Sequence, residues 1–554
     1  MSPEEKSKKT EKSKEEKAIS LFWADQLASE SVSRKKFRFT DDKVPEFKKF
    51  VVKSAASISG VLHIGRLSDT IRCDMVYKAI KDMGYTAELI WTADNVDPLR
   101  KIPEGIPKSY VEYIGVPVTD IPDPDGCHES YEAHHKSFYL EVVNKFIHDK
   151  VTVYSMREEY LKGSFKEEIK KILDDYSLVF EIHSKNRPKG RPLKKEWNPW
   201  QPICKNCGKI ITTVATSIEN GKVGYICKDY QFKTQSAKGC GYEGVDDPAK
   251  GNGKLLYKSE LAAQWAHWKV VSEGFGKEYQ VPGSAFWINA EIVEKVLKFP
   301  MPVPIFYEHI IIAGVKMSAS LGNVIYPSNW LKAGTPELLR FFYGKKLMKT
   351  RDFSWADLPI LYDDYDKHAK VFYGQQQLEN KKEEAHMKRL YEISQLKTPE
   401  KIIPVDFSHL TFLTQFFDSD EKIIESLKQT GHYSKEYHEG IEKRIELARN
   451  WINLYAPPEA KIVLKTEVSE DVRKQISENQ KKALKELGDN LSKNLKEEEL
   501  HNLFWQISEK NGIKPQEFFK AVYLALLEKE RGPKLAPFIL TVGKEKVAGI
   551  LGKV

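Results

Sequence analysis

The stretch at residues 54–79 constrains the fold most, because it joins a strand pattern to a long helix pattern through a turn of small residues. The β-prone residues 50–52 run into this turn, and apolar residues at helical spacing follow it. The turn contains Ser57, Ser59 and Gly60, and the apolar helix positions are Leu62, Leu67, Ile71 and Val76. Such a turn exposes unpaired amides at the positive end of the helix. The stretch therefore predicts a strand–turn–helix unit that binds an anion.

Two separated groups of residues suit the handling of a nucleotide. His63 and Gly65 lie where the predicted turn meets the helix, and a glycine there lets a nucleotide approach closely. Far downstream, a short loop offers an ammonium and two hydroxyl groups through Lys316, Met317, Ser318 and Ser320. Such a loop can close on a triphosphate and stabilise the charge that develops on the leaving pyrophosphate. Together the two groups predict a site that forms an adenylate from ATP.

In this order and at this separation, the two groups resemble the HIGH and KMSKS motifs of class I aminoacyl-tRNA synthetases. Further stretches narrow the resemblance to class I lysyl-tRNA synthetases, namely SISGVLHIG, DNVDPLRKIP, PDPDGCHESY and KMSASLGN. The resemblance covers the chain apart from its charged N-terminal tail. It implies a ligase that activates L-lysine with ATP and Mg²⁺, and then transfers the lysyl group to tRNA(Lys). It also implies that the tRNA is needed before activation.

The resemblance assigns roles to individual residues. The implied catalytic residues are His63 and Lys316. The implied ATP-binding residues are Ser59, Gly60, His63, Gly65, Lys316, Met317, Ser318 and Ser320. The implied substrate-binding residues are Ser57, Asp94, Glu278, Tyr279, Tyr307 and Glu308. Since an ammonium substrate needs a carboxylate, the acidic residues of this last group are the ones expected to contact lysine.

The predicted lysine pocket departs from the family pattern. Glu278 and Tyr279 stand where the family usually has an aspartate and a histidine, and residues 257–261 replace a tryptophan-rich run. Three hypotheses follow: a lysyl-tRNA synthetase with an altered pocket, a paralogue that activates another amino acid or charges another acceptor, and a catalytically weak tRNA-binding protein. We favour the first. The intact loop at Lys316 argues against the third, because a protein that only binds tRNA has no use for a pyrophosphate clamp.

Composition and charge limit the location and the partners that we expect for the protein. No apolar run approaches the roughly 20 residues that a membrane span needs. The N-terminus lacks the apolar core of a signal peptide, so we expect a cytoplasmic protein with no membrane partner. A formal net charge of +8 permits an RNA partner without requiring one. We expect the protein to be a monomer.

Alternating strand and helix patterns predict an α/β fold with a Rossmann-type parallel sheet in the catalytic domain. In such a sheet ligands bind beyond the carboxyl ends of the strands, where Asp94 would lie. The expected divisions are a disordered tail (1–18), the first half of the catalytic domain (19–154), a zinc-binding insertion (155–265), the second half of the catalytic domain (266–345), a linking domain (346–405) and an all-α anticodon-binding bundle (406–554).

Cysteines point to one metal site in the insertion. The chain has six cysteines, and four of them are Cys204, Cys207, Cys227 and Cys240. Two thiolates three residues apart, with two more from a second arm, suit tetrahedral Zn²⁺ of a structural kind. A second stretch, residues 121–135, also contains several potential ligands. A proline-rich turn before a helix at 137–146 explains that stretch as well, and we predict one zinc ion for the chain.

Overall fold

The computed structural model describes residues 22–554 except residues 59, 104, 189, 195–196, 313, 318–323, 400–401 and 494, and at residue 316 the backbone alone. By their contacts, the described residues form two compact units. The first unit contains residues up to 354 together with 367–400, and the second contains 355–366 together with 401–554. The tail predicted at 1–18 lies outside the described residues. The finer division into six parts stays a prediction.

The first unit contains the strands and about half of the helices. The strands are β1 (Phe50–Ala56), β2 (Ala87–Ala93), β3 (Thr152–Ser155), β4 (Trp200–Pro202), β5 (Thr213–Glu219), β6 (Lys222–Cys227), β7 (Tyr230–Gln231), β8 (Ser236–Ala237), β9 (Glu243–Asp246), β10 (Gly253–Leu255), β11 (Val270–Gly276), β12 (Val303–Tyr307), β13 (Ile310–Ile312), β14 (Val315–Lys316) and β15 (Arg351–Phe353). The helices that lie wholly or partly in this unit are α1 (Trp23–Ser33), α2 (Ile64–Asp82), α3 (Tyr131–Val143), α4 (Met156–Lys162), α5 (Lys166–Asp174), α6 (Tyr176–Lys185), α7 (Tyr257–Trp268), α8 (Ala285–Lys295), α9 (Pro327–Trp330), α10 (Pro336–Gly344), α11 (Leu358–Phe372) and α12 (Lys381–Ser394).

A five-stranded parallel sheet lies at the centre of the first unit, in the order β12–β11–β1–β2–β3. This order confirms the predicted α/β fold. The central strand β1 is buried along nearly all of its length, as expected for a parallel strand covered on both faces. It nevertheless carries Lys53, whose ammonium pairs with the carboxylate of Glu273 on β11. A charge so deeply buried is tolerated only because it is paired.

Two helices form where the sequence patterns indicate them, one with a different start. Helix α2 follows the predicted turn and is buried over most of its length against the sheet. Helix α3 begins at Tyr131 and not near residue 137, so the prediction for its start was wrong. Ser130 explains the earlier start, because its Oγ accepts a hydrogen bond from the Ala133 amide at 3.1 Å and caps the helix.

Arg340 on α10 ties together elements that are distant in sequence. Its guanidinium is fully buried and pairs with Asp74 on α2 at 2.5 Å. It also donates to the backbone carbonyl groups of Phe146, Ile393 and Ser394. Ile393 and Ser394 are the last two residues of α12, so this one side chain joins helix α12 to the sheet-covering helix α2. A planar guanidinium with five donors suits this role better than an ammonium.

The insertion after β3 combines helices α4–α6 with small antiparallel sheets. Strands β5, β6 and β9 form one of these sheets, and β4 pairs with β10. Glycines with positive φ, such as Gly208 and Gly241, mark its turns. This irregular segment carries the four clustered cysteines.

The second unit is helical. Besides the first part of α11, its helices are α13 (Phe407–Leu413), α14 (Asp420–Gln429), α15 (His438–Leu454), α16 (Glu470–Gln475), α17 (Glu478–Asn490), α18 (Glu497–Lys510), α19 (Pro515–Leu527), α20 (Leu535–Val542) and α21 (Lys544–Leu551). Arg444 on α15 binds Asp366 through two hydrogen bonds of 2.5 and 2.8 Å. Among the described residues, no helix is long and apolar enough to cross a membrane.

Candidate active site and metal centres

A cavity of 870 Å³ opens where β1, β2 and β11 end. The strand ends supply its floor, and the first turn of α2 and the residues after β2 supply its walls. The polar residues that line it include Ser57, His63, Arg66, Asp69, Asp94, Asp97, Arg100, Lys101, Glu273, Glu278, Tyr279, Tyr307 and His309. This is the edge at which parallel sheets bind ligands, so the cavity is the main candidate for the active site.

One described residue of the downstream motif, Met317, lies beside the upstream motif in this cavity. His63 precedes α2, and its Nδ1 accepts a hydrogen bond from the Gly65 amide at 3.1 Å. A Cβ added to Gly65 would lie 2.8 Å from the His63 ring and 3.7 Å from the side chain of Met317. Any side chain at position 65 would therefore displace the imidazole. Met317 also lines the cavity, which brings the start of the downstream loop to the upstream motif.

The protonation state of His63 follows from its surroundings. Burial, together with the nearby Arg66 guanidinium, lowers the pKa of His63 to about 4. The imidazole is therefore neutral at physiological pH. Because Nδ1 accepts from Gly65, the proton lies on Nε2, which is free to donate to a ligand oxygen.

We expect His63 to remain neutral from pH 8 down to about pH 5.5. Its pKa lies below the ordinary value of 6.5, so protonation begins only as the pH falls toward 4. An NMR titration of the imidazole protons measures this directly, with the His63→Gln variant used to assign the resonance. Titration near pH 6.5 in the wild-type protein would contradict the assignment of a neutral Nε2–H donor.

Carboxylates dominate the floor of the cavity. Asp69 accepts hydrogen bonds from Ser54 at 2.6 Å and from Tyr307 at 2.8 Å. Asp94 follows β2, and burial raises its pKa against the opposing effects of Lys53 and Lys254. Its Oδ1 is shielded from solvent and has no hydrogen-bond partner among the described residues. An unpaired acceptor of this kind costs about 1–3 kcal/mol, which a bound donor would recover.

Lys254 on β10 forms a second buried charge cluster beside Asp94. Its ammonium lies 2.9 Å from Asp97 and 3.2 Å from Glu260. Burial opposes the charge on Lys254, but these carboxylates raise the pKa of Lys254 above its usual range. Burial also raises the pKa of Glu260 to about 7, although it accepts a hydrogen bond from Tyr160 at 2.7 Å. Asp97 and Glu260 are thus occupied by a cation of the protein, whereas Asp94 keeps a free oxygen.

The structure brings together most of the residues predicted for the site. The cavity is lined by Ser57, His63, Gly65, Asp94, Glu278, Tyr279, Tyr307 and Met317. Gly60 and Glu308 are not among its lining residues. The predicted contributions of Ser59, Ser318 and Ser320 lie outside the described residues, and Lys316 is described by its backbone alone.

Two of the predicted acidic residues already have partners within the protein. The carboxylate of Glu278 lies 3.0 Å from Nε2 of His309, and its side chain is 54% exposed. Glu308 pairs with Lys277 at 2.8 Å. Tyr279 is placed beside Tyr257, with ring centroids 6.2 Å apart. Of the acidic residues proposed for lysine, Asp94 is therefore the one best prepared to receive an ammonium group.

The four predicted thiol ligands meet in the insertion. Their sulfur atoms all lie within 4.8 Å of one another, with 3.6 Å between Cys204 and Cys240 and between Cys207 and Cys227. None of the four forms a disulfide. A closed set of four thiols fits a tetrahedral ion and leaves no position for a substrate.

A second cluster of donors lies in the stretch that we interpreted as a proline-rich turn. Asp123, Cys127, His128 and His134 offer ligand atoms that all lie within 4.8 Å of one another. The thiol of Cys127 is 3.0 Å from Nδ1 of His128 and 3.3 Å from Nδ1 of His134. Because helix α3 begins at Tyr131, His134 lies near the start of the helix, close to the turn that carries the other three ligands. Mixed sulfur, nitrogen and oxygen donors also suit zinc.

Comparison with known proteins agrees with this geometry. The family model described as tRNA synthetases class I (K) matches residues 21–397, and that of an anticodon binding domain matches residues 410–549. The chain is 29% identical to the lysine–tRNA ligase of Methanosphaera stadtmanae, over 96% of this chain and 98% of that protein. It is 32% identical to the Methanocaldococcus jannaschii ligase and 33% identical to the Thermococcus kodakarensis ligase, in each case over 95% of this chain and 98% of the relative.

Proposed function

The chain belongs to the family of class I tRNA synthetases for lysine, and from this premise we propose how its cavity serves the two substrates of activation. The protein is a lysine–tRNA ligase that activates lysine with ATP and transfers the lysyl group to tRNA. Nothing in the comparisons favours a paralogue for another amino acid or a protein that only binds tRNA.

Lysine binds at the acidic floor of the cavity in this proposal. The observation that carries it is the shielded, unpaired Oδ1 of Asp94, which is available to one of the two ammonium groups of lysine. Asp97 and Glu260 are neutralised by Lys254, so they do not compete for the ligand. A charged hydrogen bond in a water-poor site is stronger than one in solvent.

ATP binds toward the basic wall, where Arg66, Arg100 and Lys101 line the cavity. It enters as its Mg²⁺ complex, and the metal neutralises phosphate charge when it is bound. The neutral imidazole of His63 donates from Nε2 to a phosphate oxygen, and the loop at Lys316 stabilises the departing pyrophosphate. The ionised carboxylate of lysine attacks the α-phosphorus, and the bond to the β-phosphate oxygen breaks. No general base is needed for this step, because the nucleophile is already ionised.

We propose that the helical second unit recognises the tRNA, in line with its match to an anticodon binding domain. The terminal ribose of the tRNA then attacks the lysyl carbonyl and AMP leaves. A cytoplasmic location and a monomeric state complete the proposal.

An exchange assay across the twenty amino acids tests the proposed function. We expect lysine to support ATP–pyrophosphate exchange and the other amino acids to give rates lower by at least about 100-fold, since lysine alone among them carries a second ammonium group. The assay is run with and without tRNA, because the family resemblance implies that tRNA is required for activation. Preference for a different amino acid would overturn the assignment of the pocket.

Both donor clusters are proposed to hold zinc with a structural role. The thiol cluster orders the part of the insertion around it, whose own buried core is small, and the cluster at Cys127 fixes the turn before α3. Since each cluster would supply four protein ligands to its ion, no position would remain for a substrate, and the ions would serve the structure alone.

Because the structure adds a second donor cluster to the one predicted from the sequence, we expect two equivalents of zinc per chain instead of one, measured by elemental analysis of the purified protein. Cys204→Ser and Cys127→Ser should each lose about one equivalent, because serine is a poor zinc ligand. Cys73→Ser is the matched control, since Cys73 is buried and donates to the Lys53 carbonyl, far from either donor set. Retention of both ions in Cys127→Ser would remove the second site, and retention in Cys204→Ser would remove the first.

A further inference from the structure

A small pocket lies next to the main cavity and takes no part in the reaction described above. It has a volume of 180 Å³ and is lined by His183, Arg187, Leu193, Trp197, Leu256, Tyr257, Lys258 and Ile288. We call it the basic pocket. Tyr257 lines both the basic pocket and the main cavity, so the two are adjacent.

The two cations of the basic pocket, Arg187 and Lys258, have no acidic partner among the described residues. Among the described residues, Lys258 has no hydrogen bond or ion pair, and Arg187 donates only from Nε, to the carbonyl of Arg191. Burial and the neighbouring Arg187 lower the pKa of Lys258. None of the described lining residues is acidic. Two neighbouring cations at a partly open pocket favour the binding of an anion.

An aromatic surface accompanies these cations. The Trp197 ring lies 4.4 Å from the His183 ring, and the Tyr176 hydroxyl donates to the Trp197 carbonyl at 2.7 Å. His183 is itself neutral, because burial and the two cations lower its pKa to about 4, and it is held by Ser259 at 2.9 Å. Trp197 is only partly buried. The rings of Tyr176 and Phe180 also lie near this indole. The part of the indole that remains exposed, beside two cations, offers stacking to a base and pairing to a phosphate.

We propose that the basic pocket binds a nucleotide in the single-stranded 3′ end of the tRNA, one of the nucleotides that precede the reacting ribose. The inference rests on the proposed function, because a tRNA acceptor must reach the main cavity. A nucleotide in the basic pocket would lie next to that cavity, since Tyr257 lines both. At 180 Å³ the pocket is smaller than the roughly 300 Å³ or more of sites that enclose a whole small molecule. It therefore suits part of a strand better than a second ATP.

The test compares two tRNA substrates and one double variant. Dissociation constants are measured by filter binding for intact tRNA(Lys) and for the same tRNA without its last four nucleotides. We expect Arg187→Ala/Lys258→Ala to weaken binding of intact tRNA about tenfold and to leave binding of the shortened tRNA unchanged. The dependence of log Kd on log salt should lose about 1.4 in slope for intact tRNA, since each single-strand phosphate contact contributes about 0.7.

Two further variants separate this contact from general electrostatics and from misfolding. Lys166→Ala/Lys171→Ala removes the same charge from the exposed face of α5, and it should affect both tRNAs equally or not at all. Trp197→Phe should keep most of the affinity that Trp197→Ala loses, because a smaller ring still stacks.

Equal weakening of both tRNAs by the Arg187→Ala/Lys258→Ala variant would overturn the proposal, as would no weakening of either. A raised KM for ATP with unchanged tRNA affinity would also overturn it, by assigning the pocket to the small substrate. The binding assay involves no catalysis. Its result therefore still tests the basic pocket if the exchange assay shows that the amino acid is not lysine.

Discussion

Replacing Lys316 with alanine is expected to lower the rate of lysyl-adenylate formation by about 100-fold or more while ATP still binds. The downstream loop begins at this residue, and its neighbour Met317 lines the cavity close to Gly65. A cation that acts on charge developing in the transition state contributes to the rate constant more than to ground-state affinity. Single-turnover formation of the adenylate, measured with saturating lysine and tRNA, gives that rate constant.

Lys332→Ala provides the matched control for the Lys316 variant. Lys332 lies just beyond α9, near the loop in sequence, and its removal should change the rate less than threefold. The Kd of ATP for both variants, from equilibrium binding, shows whether the nucleotide still occupies the site. An unchanged rate in Lys316→Ala would exclude the loop from the chemistry. An equal fall in both variants would assign the effect to general loss of positive charge.

The parts of the fold that the sequence predicted are those governed by local chemistry. The turn before α2 and the helix itself depend on residues within one segment. Alternation of strands and helices predicts a parallel sheet because a crossover connection is needed between parallel neighbours. The start of α3 was misplaced because the capping effect of Ser130 was not weighed against the proline-rich stretch before it.

The charge arrangement of the site could not be predicted in the same way. Lys254 reaches Asp97 across 157 residues of sequence, and Lys53 pairs with Glu273 across 220. Each lysine is one of many in the chain, and no local pattern marks either as buried. Which carboxylate remains free for a substrate depends on these pairings. The sequence therefore identifies Asp94, Glu278 and Glu308 as candidates for binding lysine, but it does not show which of these carboxylates is free to do so.

The sequence shows the potential ligands at residues 121–135 but does not distinguish a metal site there from a proline-rich turn, for a related reason. Asp123, Cys127 and His128 lie in an irregular turn, and His134 lies on a helix, so their spacing matches no common zinc pattern. Only the path of the chain through the turn brings the four side chains together. The regular Cys-x-x-Cys pair at residues 204–207 was recognisable because two ligands on one short knuckle already fix half of the site.

Asp94→Asn is expected to raise the KM for lysine about 100-fold or more and to leave the KM for ATP within about threefold. The substitution preserves shape but removes the negative charge that receives the substrate ammonium. Loss of one partner from a buried charged pair costs about 2–5 kcal/mol, and each 1.4 kcal/mol is a factor of ten. Exchange kinetics with lysine and ATP varied separately measure both constants.

The pH dependence of the wild-type protein supplies an independent test of Asp94. Burial raises its pKa, and only the ionised carboxylate can pair with an ammonium. The KM for lysine should therefore rise as the pH falls, and this dependence should disappear in Asp94→Asn. Asp149→Asn, which removes a surface partner of Lys81, is the control and should behave as the wild type does. If both Michaelis constants rise equally in Asp94→Asn, the carboxylate maintains the shape of the cavity and the ammonium of lysine binds elsewhere.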